Sequence, residues 1–92
     1  YVDAHEAQAM LKTGAGLLDV RTAAEYRQGS LAGSSNLPVT ELRARLAELD
    51  ASRPYVLMCG NGVQSEAAAF LLIQRGFRVA VLRGGLRGLQ PG

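Results

Sequence analysis

The sequence predicts an α/β fold, a small parallel β-sheet flanked by helices on both faces. Three observations carry this expectation. Short apolar runs bounded by turn residues, Leu17–Val20 and Tyr55–Met58 foremost, have the form of strands buried on both faces. Other segments place apolar residues at helical spacing, such as Leu42, Leu46 and Leu49. The two kinds of segment alternate along the chain, as strands joined by helical crossovers do.

The elements follow in order. Asp3 is an N-cap for a first helix that carries Ala4, Ala7, Met10 and Leu11, and Gly14 and Gly16 stop it. After the strand at Leu17–Val20, Thr22 and Glu25 form a capping box for a short second helix. Gly29 and Gly33 interrupt the next stretch, and Asn36–Val39 is a brief extended piece, because the residue before Pro38 is pushed out of the helical region. Thr40 begins a further helix that runs to Asp50, and Pro54 separates it from the strand Tyr55–Met58. An Ala- and Leu-rich helix is expected over Ser65–Arg75 with Gly76 as its C′ residue, followed by a last strand, Phe77–Leu82, and a turn at Gly84 and Gly85.

Composition narrows the class of protein. Ninety-two residues are one domain's worth of chain, residues 1–92. At 48% hydrophobic and 20% charged, the composition excludes disorder. The longest apolar run, Ala67–Ile73, is far short of the ~20 residues that a membrane span needs. Ten basic and eight acidic residues leave a net charge of +2, too small and scattered a surplus to imply nucleic acid. One cysteine forms no internal disulfide, and no Cys/His cluster offers a metal site. A free thiol suits a reducing compartment, which predicts a cytoplasmic location. The chain opens on Tyr1, with no signal-like apolar segment, and is compatible with a module of a longer protein.

Open α/β sheets place their sites at the carboxyl ends of strands. That rule singles out Cys59, directly after Tyr55–Met58, and the loop Gly60, Asn61, Gly62, Val63, Gln64 and Ser65 that leads into the next helix. The two glycines can adopt backbone angles closed to other residues, so consecutive N–H groups can turn around the sulfur as an anion nest. The helix adds its unsatisfied N–H groups and the positive end of its dipole. Both effects favour thiolate over thiol. A buried, inert cysteine is the bland alternative; the position between strand end and helix start favours a reactive thiolate.

At these residues the sequence resembles the rhodanese-like family of sulfurtransferases. Asp19-Val20-Arg21, Glu25-Tyr26, Gly29, Gly33 and Asn36-Leu37-Pro38 are similar to the family's N-terminal signature. Cys59 with Gly62 and Ser65 is similar to its active-site loop, and Val81-Leu82 with Gly84-Gly85 to its closing motif. The resemblance implies a two-step reaction. The Cys59 thiolate takes a sulfur from a small donor, thiosulfate or mercaptopyruvate, as a persulfide, and then passes it to cyanide, a thiol or a partner protein. No cofactor is implied. Ser65 either caps the helix, the favoured reading, or donates to the sulfur.

The chain also departs from the family pattern. Ser30 stands where the family usually has His, and Leu86 follows Gly85 where Trp is common. Gly60, Asn61 and Gln64 occupy positions where many members carry Arg or Lys. Cys59-Gly60-x-Gly62-Val63 is similar instead to the loop of mercaptopyruvate sulfurtransferases, which leaves the donor open.

Other polar residues weigh towards structure. Asp19 and Arg21 are expected to fix neighbouring loops, with Arg21 paired to an acid such as Glu25. Arg83 reads as a solvated cation, and His5 as an exposed or packed helical residue. Two alternative functions stand beside sulfur transfer. A cysteine phosphatase or arsenate reductase needs Arg six residues after the cysteine, where this chain has Ser65. A regulatory or binding module would keep the fold with weak turnover or none.

Overall fold

The computed structural model describes residues 1–30, 33–60 and 63–82. Strands β1 (Gly16–Asp19), β2 (Ser35–Asn36), β3 (Tyr55–Met58) and β4 (Val79–Val81) form one parallel sheet in the order β2-β1-β3-β4. Helices α1 (Ala4–Lys12), α2 (Ala23–Gln28) and α3 (Val63–Gln74) connect or precede them. β1 and β3 are the central pair, in register from Gly16 opposite Tyr55 to Asp19 opposite Met58.

Alternate side chains of the central strands feed two cores, as the period of two requires. Leu17, Val56 and Met58 pack with Ala7 of α1 and Leu82 on one face. Leu18, Val20, Leu57 and Cys59 pack with Ala68, Ala69 and Leu72 of α3 on the other. Both faces of the sheet are therefore covered, which explains why β1 and β3 read as continuous apolar runs. A Cβ on Gly16 would meet the Tyr55 ring at 2.6 Å, so the entry to β1 has no room for a side chain.

Both helix starts expected from capping boxes form. The Asp3 carboxylate accepts from the Glu6 N–H at 2.8 Å, and Glu6 accepts from the Asp3 N–H at 3.1 Å. Thr22 and Glu25 make the same reciprocal pair for α2. At the end of α3, Gly76 adopts φ +87°, and the Gly76 and Phe77 N–H groups bond back to Ile73 and Leu72. This is a Schellman closure, which a left-handed glycine permits.

The helix expected from Thr40 to Asp50 does not form. Two short 3-10 turns, Val39–Glu41 and Leu46–Glu48, stand there instead. No side chain caps either turn, and Pro38 holds extended angles at the entry (φ −54°, ψ 141°). Leu42, Leu46 and Leu49 nevertheless reach the α3-side core. Their spacing reflects a need for burial that a broken turn satisfies as well as a helix. Smaller differences lie at element ends. α3 begins at Val63 rather than Ser65, and β4 is shorter than Phe77–Leu82, with Leu82 bridging in parallel to Val2. The turn at Gly84 and Gly85, together with Arg83 and Leu86, falls outside the described residues.

Candidate active site

The sheet order places a topological switch between β1 and β3. From β1 the chain steps outward to β2, and from β3 it steps the other way to β4. The two crossovers diverge there, and the crevice at the carboxyl ends of these strands is where such sheets bind ligands. Asp19–Arg21 leave β1 at this point and Cys59 leaves β3. The Val20 N–H donates to the Met58 carbonyl at 3.0 Å and ties the two exits together.

Cys59 is fully buried, its side chain on the α3 side of the sheet. The Ser65 backbone N–H donates to Cys59 Sγ at 3.4 Å. Ser65 is the third residue of α3, so this N–H is one that the helix cannot satisfy internally. The sulfur thus occupies the place of an anion at a helix N-terminus.

The Ser65 side chain differs from the capping role expected of it. Because α3 starts two residues earlier, Ser65 lies inside the helix and caps nothing. Its hydroxyl oxygen is buried and has no hydrogen-bond partner among the described residues. Buried hydroxyls are nearly always paired, so an orphan on the residue whose N–H faces the sulfur is a signal in its own right. Gly60 is exposed, does not adopt a positive φ, and a Cβ there would meet nothing within 4 Å among the described residues. Asn61 and Gly62 lie outside the described residues, Val63 opens α3, and Gln64 is half-buried in its first turn.

Across the crevice, Asp19 and Arg21 form a closed polar unit. Arg21 Nε donates to both Asp19 carboxylate oxygens at 3.0 and 3.1 Å, and Nη2 donates to Oδ2 at 2.8 Å. The Arg21 N–H adds a bond to Oδ1 at 3.0 Å, and Nη2 also reaches the Gly29 carbonyl at 2.7 Å. Both residues are buried. Arg21 therefore pairs with Asp19 and not with Glu25, which is occupied in the α2 capping box.

The Arg21 guanidinium is held above the ordinary arginine range. Its hydrogen bond to Asp19 is the largest cause, desolvation opposes it, and the charges of Asp19, Glu25 and Cys59 add smaller contributions. A fixed cation thus lies within electrostatic reach of the sulfur. Asn36 Nδ2 completes the unit by donating to the Asp19 and Arg21 carbonyls, both at 3.0 Å. That role for Asn36 was not foreseen from the sequence, although its place before Leu37-Pro38 in the signature-like run marks it. His5 is exposed on α1.

A buried thiol thus faces a helix N-terminus at the switch point of a parallel sheet. The chain matches the rhodanese-like domain family over residues 3–90 and belongs to that family. It is 38% identical over 71 residues to a sulfurtransferase of Allochromatium vinosum, a match that covers 76% of this chain and 66% of that protein. It is 33% identical over 81 residues to the thiosulfate sulfurtransferase GlpE of Stutzerimonas stutzeri, covering 87% of this chain and 74% of that one. Among solved structures it is similar to a rhodanese-related protein of Thermoplasma volcanium, with a TM-score of 0.87, 32% identity, and coverage of 96% and 87% of the two chains. The reduced Bacillus anthracis CoADR-RHD matches with the same TM-score and 34% identity over 96% of this chain but 16% of its own. Among the described residues, no helix is long and apolar enough to cross a membrane.

Proposed function

We propose that this domain is a sulfurtransferase that carries a sulfane sulfur on Cys59. The observation that carries the reading is the Ser65 N–H aimed at a buried Cys59 Sγ at the sheet's switch point. In the first step the Cys59 thiolate attacks the outer sulfur of thiosulfate. A new S–S bond forms on Cys59, the donor's S–S bond breaks, and sulfite leaves with the electron pair. In the second step cyanide or a thiolate attacks the outer sulfur of the persulfide, and the Cys59 thiolate leaves. The thiolate is both nucleophile and leaving group, so the same N–H donor assists both steps. Gly60 follows Cys59 directly, and Val63 and Gln64 open the helix whose Ser65 N–H faces the sulfur; Asn61 and Gly62 belong to the same candidate segment by sequence. Asp19 and Arg21 brace its far side.

The sulfurtransferase names of the two relatives support this reading, as does the family to which the chain belongs. Thiosulfate and mercaptopyruvate are the donors to test, since the loop positions 60, 61 and 64 hold no cation to select a dianion. Thiocyanate formed with each donor should be measured for the wild type and Cys59→Ser. Turnover with at least one donor that vanishes in a folded Cys59→Ser variant is expected. Equal turnover by the variant, or none by the wild type with any donor, overturns the proposal.

One observation favours a second reading. The match to CoADR-RHD covers only 16% of a longer chain, and this chain spans 66% of the Allochromatium protein's length. A domain of this kind acting as a sulfur-binding module of a larger protein would load Cys59 and turn over slowly.

A further inference from the structure

The outer face of α3 stands apart from the sulfur site. Glu66, Phe70 and Ile73 fall at i, i+4 and i+7, so they form one stripe along the helix. The neighbouring stripe, Ser65, Ala68, Ala69 and Leu72, is already buried. The apolar run Ala67–Ile73 wraps two turns of α3, and a helix apolar on both sides is normally covered on both. Yet Phe70 is 68% exposed and Ile73 60%.

Phe70 stands as a ridge between two grooves. One, of about 380 Å³, is lined by Val39, Thr40, Arg43, Ala67, Leu71 and Gln74. The other, of about 330 Å³, runs past Tyr1 and Val79 beside β4. Thr40, Gln74, Arg43 and Glu66 are polar residues of this face, and the last two carry opposite charges. Glu66 borders one groove and Arg43 the other, and neither forms an ion pair among the described residues.

We propose that this face is a two-fold interface with a second copy of this chain. An axis through Phe70, perpendicular to α3, sets the two helices antiparallel and brings the same patch against itself. Phe70 then meets the partner's Phe70, and Ala67 meets the partner's Ile73. Glu66 falls opposite the partner's Gln74, at the end of the groove that the partner's Arg43 also lines. The carboxylate thereby gains an amide donor and a guanidinium, and symmetry makes the same contact twice. A helical stripe alone is narrow against the ~800 Å² per partner of a standard interface. The two grooves widen the face from the turn at Val39 to β4.

The test is a charge swap read by sedimentation velocity on this chain, with thermal unfolding as the control for folding. The wild type should be a dimer. Phe70→Glu should be monomeric, and Arg43→Glu or Glu66→Arg alone should weaken association by about tenfold or more, because each sets like charges together. The double variant Arg43→Glu/Glu66→Arg should recover the dimer. A monomeric wild type, a dimeric Phe70→Glu, or single swaps that associate like the wild type would overturn the proposal. So would a folded double variant that fails to recover.

Discussion

The carboxyl ends of β1 and β3 lie side by side, joined by the Val20 N–H on the Met58 carbonyl, yet they are finished in opposite ways. At the end of β1 the buried polar groups satisfy one another. Arg21 is bound to Asp19 and Gly29, and Asn36 closes the two carbonyls. At the end of β3 a sulfur accepts a helix N–H, and next to it a buried hydroxyl has no partner among the described residues. The first end is a brace, because paired buried polar groups specify one geometry. The second leaves hydrogen-bonding capacity beside the sulfur unused among the described residues. Under the proposed function, that capacity would serve the transferred sulfur.

Removing half of the brace should produce the largest loss of stability. Arg21→Ala leaves the Asp19 carboxylate buried without its counter-charge, holding only the residue-21 backbone N–H, and should destabilise by about 3 kcal/mol. This is the low end for a buried pair, since a tenth of the Arg21 side chain still reaches solvent. Urea unfolding measures it, and a loss within error of zero would show that the unit is no brace. Asn36→Ala should cost less, about 1–2 kcal/mol, because two carbonyls lose a donor but keep a route to water or to neighbouring N–H groups. A loss as large as that of Arg21→Ala would move the centre of the brace to Asn36.

On the β3 side the signs differ. Ser65→Ala removes an orphan hydroxyl, so stability should hold or rise by up to about 1 kcal/mol. Its turnover should fall by about tenfold or more if the hydroxyl donates to the transferred sulfur. Unchanged turnover would restrict the sulfur's donors to backbone N–H groups. Gly60→Ala should have the smallest effect, within about 0.5 kcal/mol and with near-normal turnover, since the position is open and its φ is not positive. A severe defect there would return Gly60 to the list of residues that shape the nest.

Much of this contrast was legible in the sequence, and the reasons it was differ by residue. Asp3–Glu6 and Thr22–Glu25 are local signals, complete within four residues, so both helix starts could be read directly. Cys59 could be placed because a buried apolar run ends just before it. What depended on contacts distant in sequence could not be read. Leu42, Leu46 and Leu49 have the spacing of a helix, but an uncapped entry after Pro38 leaves two 3-10 turns. Asn36 and Arg21 lie fifteen residues apart, and only the parallel pairing of β1 with β2 brings them together. The start of α3 at Val63 moved Ser65 from cap to interior, and with it the meaning of its hydroxyl.

The central claim is that sulfur resides on Cys59 between donor and acceptor. Intact-mass and peptide mass spectrometry after incubation with thiosulfate, and separately with mercaptopyruvate, tests it most directly. A gain of one sulfur atom is expected on the peptide that carries Cys59, lost again on addition of cyanide with release of an equal amount of thiocyanate. An unmodified Cys59 with every donor, or an adduct that cyanide does not remove, would contradict it.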